Sequence, residues 1–107
     1  MELTELIRIL IHYSLHLLFP AVIAWFFFKK NWKKAWIIMI ATMLVDLDHL
    51  LATPVFDSMR CSINFHPLHS YYAIMAYILL FFIPKFRIVT IGLLLHMATD
   101  FLDCLWI

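Results

Sequence analysis

The chain has 107 residues, enough for one domain and too few for two. With 65% hydrophobic, 17% aromatic and only 14% charged residues, a soluble domain of this size could not hide its apolar surface, so lipid is its natural solvent. A net charge of +1 excludes a bulk electrostatic case for nucleic acid, and a single glycine excludes glycine-rich phosphate loops and the G-x-S-x-G elbow.

Apolar runs predict an all-α membrane protein, a bundle of four transmembrane helices in one domain over 1–107. The spans are expected at about 3–28, 35–53, 68–83 and 88–107, with an outward loop at 54–69. The first run opens on "MELTELIR", acidic where a signal peptide is basic, and is expected to be a permanent span. Pro20 should kink it and free a backbone carbonyl that neighbouring protein must cover. The connections "KKNWKK" (29–34) and "PKFR" (84–87) hold six of the eight Lys and Arg residues. By the positive-inside rule both face the cytoplasm, which puts both termini and the 54–69 loop outside. Trp25, Trp32, Trp36 and Trp106 fall near span ends, as interfacial aromatics do. Cys61 and Cys104 both come out on the oxidising side, where a disulfide and two buried thiols are both open. Asp57 and Arg60 are most simply solvated loop residues, compatible with a mutual ion pair.

The informative residues are those that a membrane helix should not carry. "MLVDLDHLLAT" (43–53) places Asp46, Asp48 and His49 within an apolar run. At about 1.5 Å per residue, His16, Asp46, His49, His96 and Asp100 fall roughly 12 to 21 Å from the cytoplasmic ends of their spans, and His69 lies at a similar height. Against a hydrocarbon core of about 30 Å, they cluster at or just outside the midplane. His12 and His16 share a helix face, as do His96, Asp100 and Asp103, and Asp46 and His49. Asp48 is rotated away from Asp46 in an ideal helix. It is expected either behind the other groups or, where the helix unwinds, beside them.

Ionisable groups are costly in lipid and normally face the bundle interior. Neutral imidazoles and carboxylates are the ligand set of zinc, manganese and iron, and a divalent cation offsets the buried aspartates. The number of candidate ligands exceeds what one tetrahedral zinc needs, which favours two ions or one ion with an extended supporting network. Zinc is the first expectation, with manganese and iron as alternatives.

The ordered set of His16, "DLDH" (46–49), "HPLHS" (66–70) and "HMATD" (96–100) resembles a bacterial family of inner-membrane proteins named as metal-dependent hydrolases, which includes a LexA-regulated member. That family shows an early membrane histidine, an Asp-x-Asp-His motif, a His-Arg-Gly-x-Thr-His-Ser-like motif and a late His-x-x-x-Asp. Asp46, Asp48 and His49 match the second of these without a gap. His69 and Ser70 match the end of the third, and His96 and Asp100 match the last. His66 stands near the third motif's leading histidine at a shorter spacing, and its Arg-Gly pair is missing. The resemblance implies a multi-pass protein of the bacterial inner membrane. Its metal ligands would come from His16, Asp46, Asp48, His49, His66, His69, His96 and Asp100. Asp48 would be a bridging ligand or general base, and Ser70 a catalytic group contacting a ligand or the substrate. His12 and Asp103 would stand behind the ligands.

The leading expectation is therefore a metal-dependent hydrolase using metal-activated water on a lipid or lipid-linked phosphoester near the outer leaflet. The alternative is a non-catalytic metal or proton carrier, since buried His and Asp chains also mark ion paths. A haem module with His16 and His96 as axial ligands is disfavoured by the aspartates. A small interaction subunit with a structural polar cluster is the remaining reading. Membrane lipid is the expected partner, nucleic acid is not, and a homo-oligomer is left open.

Overall fold

Pro20 divides the first apolar run into two helices. In the computed structural model, which describes residues 2–54 and 60–105, α1 covers Leu3–Leu17 and α2 covers Phe19–Phe27. Pro20 sits in the first turn of α2, where its missing N–H costs nothing. At the break the Ala21 N–H turns to the Leu18 carbonyl at 3.0 Å instead of continuing the ladder to Leu17. The Leu17 carbonyl thus loses its helical partner, and the Trp36 indole Nε1–H donates to it at 2.8 Å. Of the residues expected in the outward loop and at the last span end, Asp57 and Trp106 lie outside the described residues.

The remaining elements are also helical, with no strand among the described residues. A short 3-10 turn at Lys29–Asn31 leads into α3, Trp32–Ala41, which passes directly into a ten-residue 3-10 helix, Thr42–Leu51. After the loop, a 3-10 turn at Pro67–His69 precedes α4, Tyr71–Phe81. The turn Pro84–Phe86 then opens α5, Arg87–Leu105. The Ser70 hydroxyl caps α4 by accepting from the Ala73 N–H at 3.2 Å.

Ala24 of α2 and Ala35 and Met39 of α3 form the apolar core, with Phe28, Trp32 and Ile88 against it. Ile88 opens α5 and Phe28 closes α2, so the two basic turns sit at the same end of the molecule. Above this core the chain's one glycine lets α5 approach α3. A Cβ on Gly92 would stand 2.9 Å from the Met39 Cα. At the other end, a Cys61–Cys104 disulfide ties the loop to the last turn of α5 and settles the alternative between a bridge and two thiols.

Burial is inverted relative to a soluble domain. Among the described residues Ala24, Ala35, Met39, Val45 and Met97 are the buried hydrophobic ones, whereas the buried polar ones include His16, Asp48, His66, His69, His96 and Asp100. Large apolar side chains such as Leu51, Phe27 and Phe82 are exposed. Two helical stretches, Leu3–Phe27 and Pro84–Leu105, are long and apolar enough to cross a membrane, and Tyr71–Phe81 is a shorter apolar helix.

Candidate metal centre

Local winding decides which polar groups meet. In the Thr42–Leu51 segment the buried residues are Thr42, Val45 and Asp48, three apart. A 3-10 helix has 3.0 residues per turn, so these eclipse in one inward row, and Asp46 and His49 form the next row. The segment is wound more tightly than an α-helix, which corrects the expectation of local unwinding and explains how Asp48 turns inward. The Thr42 hydroxyl bonds back to the Met39 carbonyl where the winding changes. On α5, Gly92, His96 and Asp100 repeat at four residues and share a face. The loop reaches the same place through Asn64, whose φ of 61° is a left-handed conformation that asparagine tolerates. The Asn64 N–H closes on the His69 carbonyl at 2.9 Å, and the Tyr77 hydroxyl holds the Leu68 carbonyl at 2.8 Å. His69 is thereby fully buried.

Four side chains from three segments converge on one point. His69 Nε2 lies 3.2 Å from Asp46 Oδ1, 2.9 Å from Asp100 Oδ2 and 3.1 Å from His96 Nε2. His96 Nε2 lies 2.9 Å from Asp46 Oδ1 and 3.1 Å from Asp100 Oδ2. Asp46, His69, His96 and Asp100 form a group that could hold a metal ion. Asp100 Oδ2 is buried between the two imidazoles.

Asp48 stands behind this group. Its Oδ2 accepts from His69 Nδ1 at 2.8 Å and from the Leu68 N–H at 2.9 Å, and its Oδ1 lies 3.1 Å from His49 Nδ1. Both oxygens are therefore committed away from the point where Asp46 and Asp100 meet. In place of a bridging ligand or base at that point, Asp48 orients two histidines. With Nδ1–H donating to Asp48, a neutral His69 presents its Nε2 lone pair to the cluster.

The other sequence-derived residues distribute around this core. His16 Nε2 lies 3.2 Å from Asp100 Oδ1 and 3.0 Å from His12 Nε2, so His12 stands among the ligand-bearing groups and not behind them. His49 and His66 stack with ring centroids 3.9 Å apart and group with Asp48, outside the four-residue set. Burial, then the neighbouring His49 ring, hold His66 below the usual imidazole range. Asp103 is 3.5 Å from Arg8, an ion pair joining α5 to α1. Ser70 does not join the cluster. Its hydroxyl donates to the Pro67 carbonyl at 2.8 Å and caps α4, so the expected catalytic contact is replaced by a structural one.

A cavity of about 120 Å³ opens beside the cluster, lined by His12, Asp46, His49, Arg60, His66 and Asp100 among others. Arg60 was legible only as the loop's one cation and was expected in solvent. It is part-exposed, and its guanidinium also packs over the Phe65 ring at 4.8 Å and donates to the Pro54 carbonyl at 2.9 Å, on the cavity wall.

Fold and site together define an all-helical protein whose polar interior gathers His/Asp groups able to bind a metal. The chain belongs to DUF6122, a family of unknown function whose model matches residues 6–107. No curated protein and no solved structure matches it.

Proposed function

We propose that this protein is a multi-pass bacterial inner-membrane hydrolase that depends on a divalent metal, zinc in the first instance, held by Asp46, His69, His96 and Asp100. The observation that carries this proposal is the convergence of two Nε2 atoms and two carboxylate oxygens at 2.9–3.2 Å. His69 Nε2 has three such neighbours and at most one proton to share among them. A cation at the shared point satisfies all four atoms. Ligand atoms on a tetrahedron around zinc at about 2.0–2.1 Å stand roughly 3.3 Å apart, close to the observed separations.

The membrane setting rests on the inverted burial and on the two long apolar helices, whose side chains are mostly outside the fold where a soluble core helix would be buried. The two basic turns at one end supply the positive-inside signal, which directs the cavity and both termini to the outer face.

A divalent ion in this centre would supply Lewis acidity and, with a fifth position taken up beside its four protein ligands, a water ionised near neutral pH. The chain's own residues do the rest. Asp48 fixes the His69 tautomer. His49, whose Nδ1 lies 3.1 Å from Asp48 Oδ1, lines the cavity and is assigned the proton transfer in this proposal. A small polar cavity at the level of the lipid suits the phosphoryl group of a lipid or lipid-linked phosphoester.

The test is hydrolysis of phosphatidic acid and a polyprenyl phosphate by the protein in lipid nanodiscs, with zinc or manganese and after chelation. Turnover that disappears with chelator and returns with metal is expected. Undiminished turnover in metal-free protein would overturn the proposal.

A further inference from the structure

The two oxygens of Asp100 face different neighbours. Oδ2 turns to His69 and His96, at 2.9 and 3.1 Å. Oδ1 turns to His16 and His12, at 3.2 and 3.7 Å. His12 and His16 are four residues apart on one face of α1, and their Nε2 atoms are 3.0 Å apart. The His16 ring also lies 4.3 Å from the His96 ring, so the two imidazole groups adjoin. We infer that His12, His16 and Asp100 form a second divalent-cation site sharing the Asp100 carboxylate with the four-ligand centre, which makes the centre dinuclear. This inference rests on the metal-binding reading above and adds to it the second ion and its ligands.

Three features support the second site. First, the atoms form a compact group of their own. His16 Nε2 has both His12 Nε2 and a carboxylate oxygen within 3.2 Å, and one ring proton cannot satisfy both. Second, three carboxylates, Asp46, Asp48 and Asp100, gather in one place, which favours more than one divalent cation. Third, the ligand counts differ. The first site has four protein ligands, the closed arrangement of tetrahedral zinc, and the second has three, the arrangement that keeps a position open. His12 and Asp100 both line the cavity, so the open position faces it. A carboxylate bridging through its two oxygens is compatible with the separation of about 3.5–4 Å usual in two-metal sites.

The remaining cluster, Asp48 with His49 and His66, is less suited to an ion, because both Asp48 oxygens are already engaged by His69, Leu68 and His49.

The full chain in nanodiscs, stripped with chelator, is titrated with Zn(II) and its bound metal counted by elemental analysis after desalting. A parallel Mn(II) titration is followed by electron paramagnetic resonance. Two ions per chain are expected in the wild type, with a spin-coupled Mn(II) pair. His12→Gln should weaken the second ion at least tenfold, and His12→Gln/His16→Gln should leave one ion and an uncoupled signal. Circular dichroism and retention of one ion mark these variants as folded. His96→Ala should lower the content of the first site. One ion in the wild type, unchanged in the double variant, overturns the second site and spares the first. Two ions in both proteins also overturn it, because the second ion then lies elsewhere. No bound ion in the wild type overturns the metal-binding reading itself.

Discussion

Asp48 Oδ2 and His69 Nδ1 are 2.8 Å apart, on the side of the imidazole remote from the other ligand-bearing groups. A carboxylate in this position fixes the ring's orientation and leaves Nε2 as the ligating nitrogen. Asp48→Ala removes that constraint and strands the Leu68 N–H. Zinc affinity should fall by about 10- to 100-fold, the usual effect of losing such a partner. Competition with a fluorescent chelator measures this, and an unchanged affinity would remove Asp48 from any supporting role.

Ser70 separates a structural from a catalytic reading of the "HPLHS" motif. Ser70→Ala deletes the α4 cap and should cost about 0.5–2 kcal/mol of stability. Metal content and turnover of the folded fraction should stay at wild-type levels. A variant that remains stable but loses turnover would return Ser70 to the reaction.

Much of the site can be read from helix depth and spacing alone. His16, Asp46, His69, His96 and Asp100 are polar residues placed where an apolar span cannot ignore them, and periodicity puts His96 and Asp100 on one face. Asp48 is different. Its position depends on a ten-residue 3-10 segment, far longer than the three or four residues common for that winding, and no local sequence signal marks it. The role of Ser70 was legible in principle, since a serine immediately before an apolar helical run is a standard N-cap signal. Arg60 could not be read, because the loop's path over the cavity is set by a left-handed Asn64 and a tertiary disulfide.

Gly92 sets the distance between α3 and α5. Gly92→Ala adds a Cβ 2.9 Å from a backbone atom of Met39, and backbone cannot swing aside as a flexible side chain can. Overpacking of this kind typically costs about 1–3 kcal/mol. His96 and Asp100 lie one and two turns further along the same face, so weaker metal binding should accompany the loss. Denaturation in mild detergent and a metal titration read the two effects separately.

Trp36 covers the carbonyl that the Pro20 break exposes. Trp36→Phe keeps most of the aromatic volume and removes the only donor to the Leu17 oxygen among the described residues. At this exposed site the loss should be about 0.5–1.5 kcal/mol, the net worth of one hydrogen bond. The expected outcome is a lower unfolding midpoint with metal stoichiometry unchanged.

Metal removal should itself destabilise the fold, because the proposed ligands come from separate segments of the chain and an ion would tie them together. At a free metal concentration 100 times the dissociation constant, binding contributes about 2.7 kcal/mol for one site. Thermal unfolding of the metal-free and reloaded protein in nanodiscs should differ in that direction. Coincident curves would indicate that the ion binds without holding the helices together.

The Cys61–Cys104 bridge has a consequence for how the centre is assembled. It closes a covalent circuit that contains His66, His69, His96 and Asp100. His12, His16, Asp46 and Asp48 all lie outside that circuit, on the preceding half of the chain. Every contact between Asp46 or His16 and the α5 ligands therefore joins a cross-linked half to an untethered one. An ion at either site would act as a clasp between the halves. Stripping it would leave the two halves held together by the Gly92–Met39 approach, the packing of Ile88 on the core and the Arg8–Asp103 pair, without an ion's tie at the polar centre.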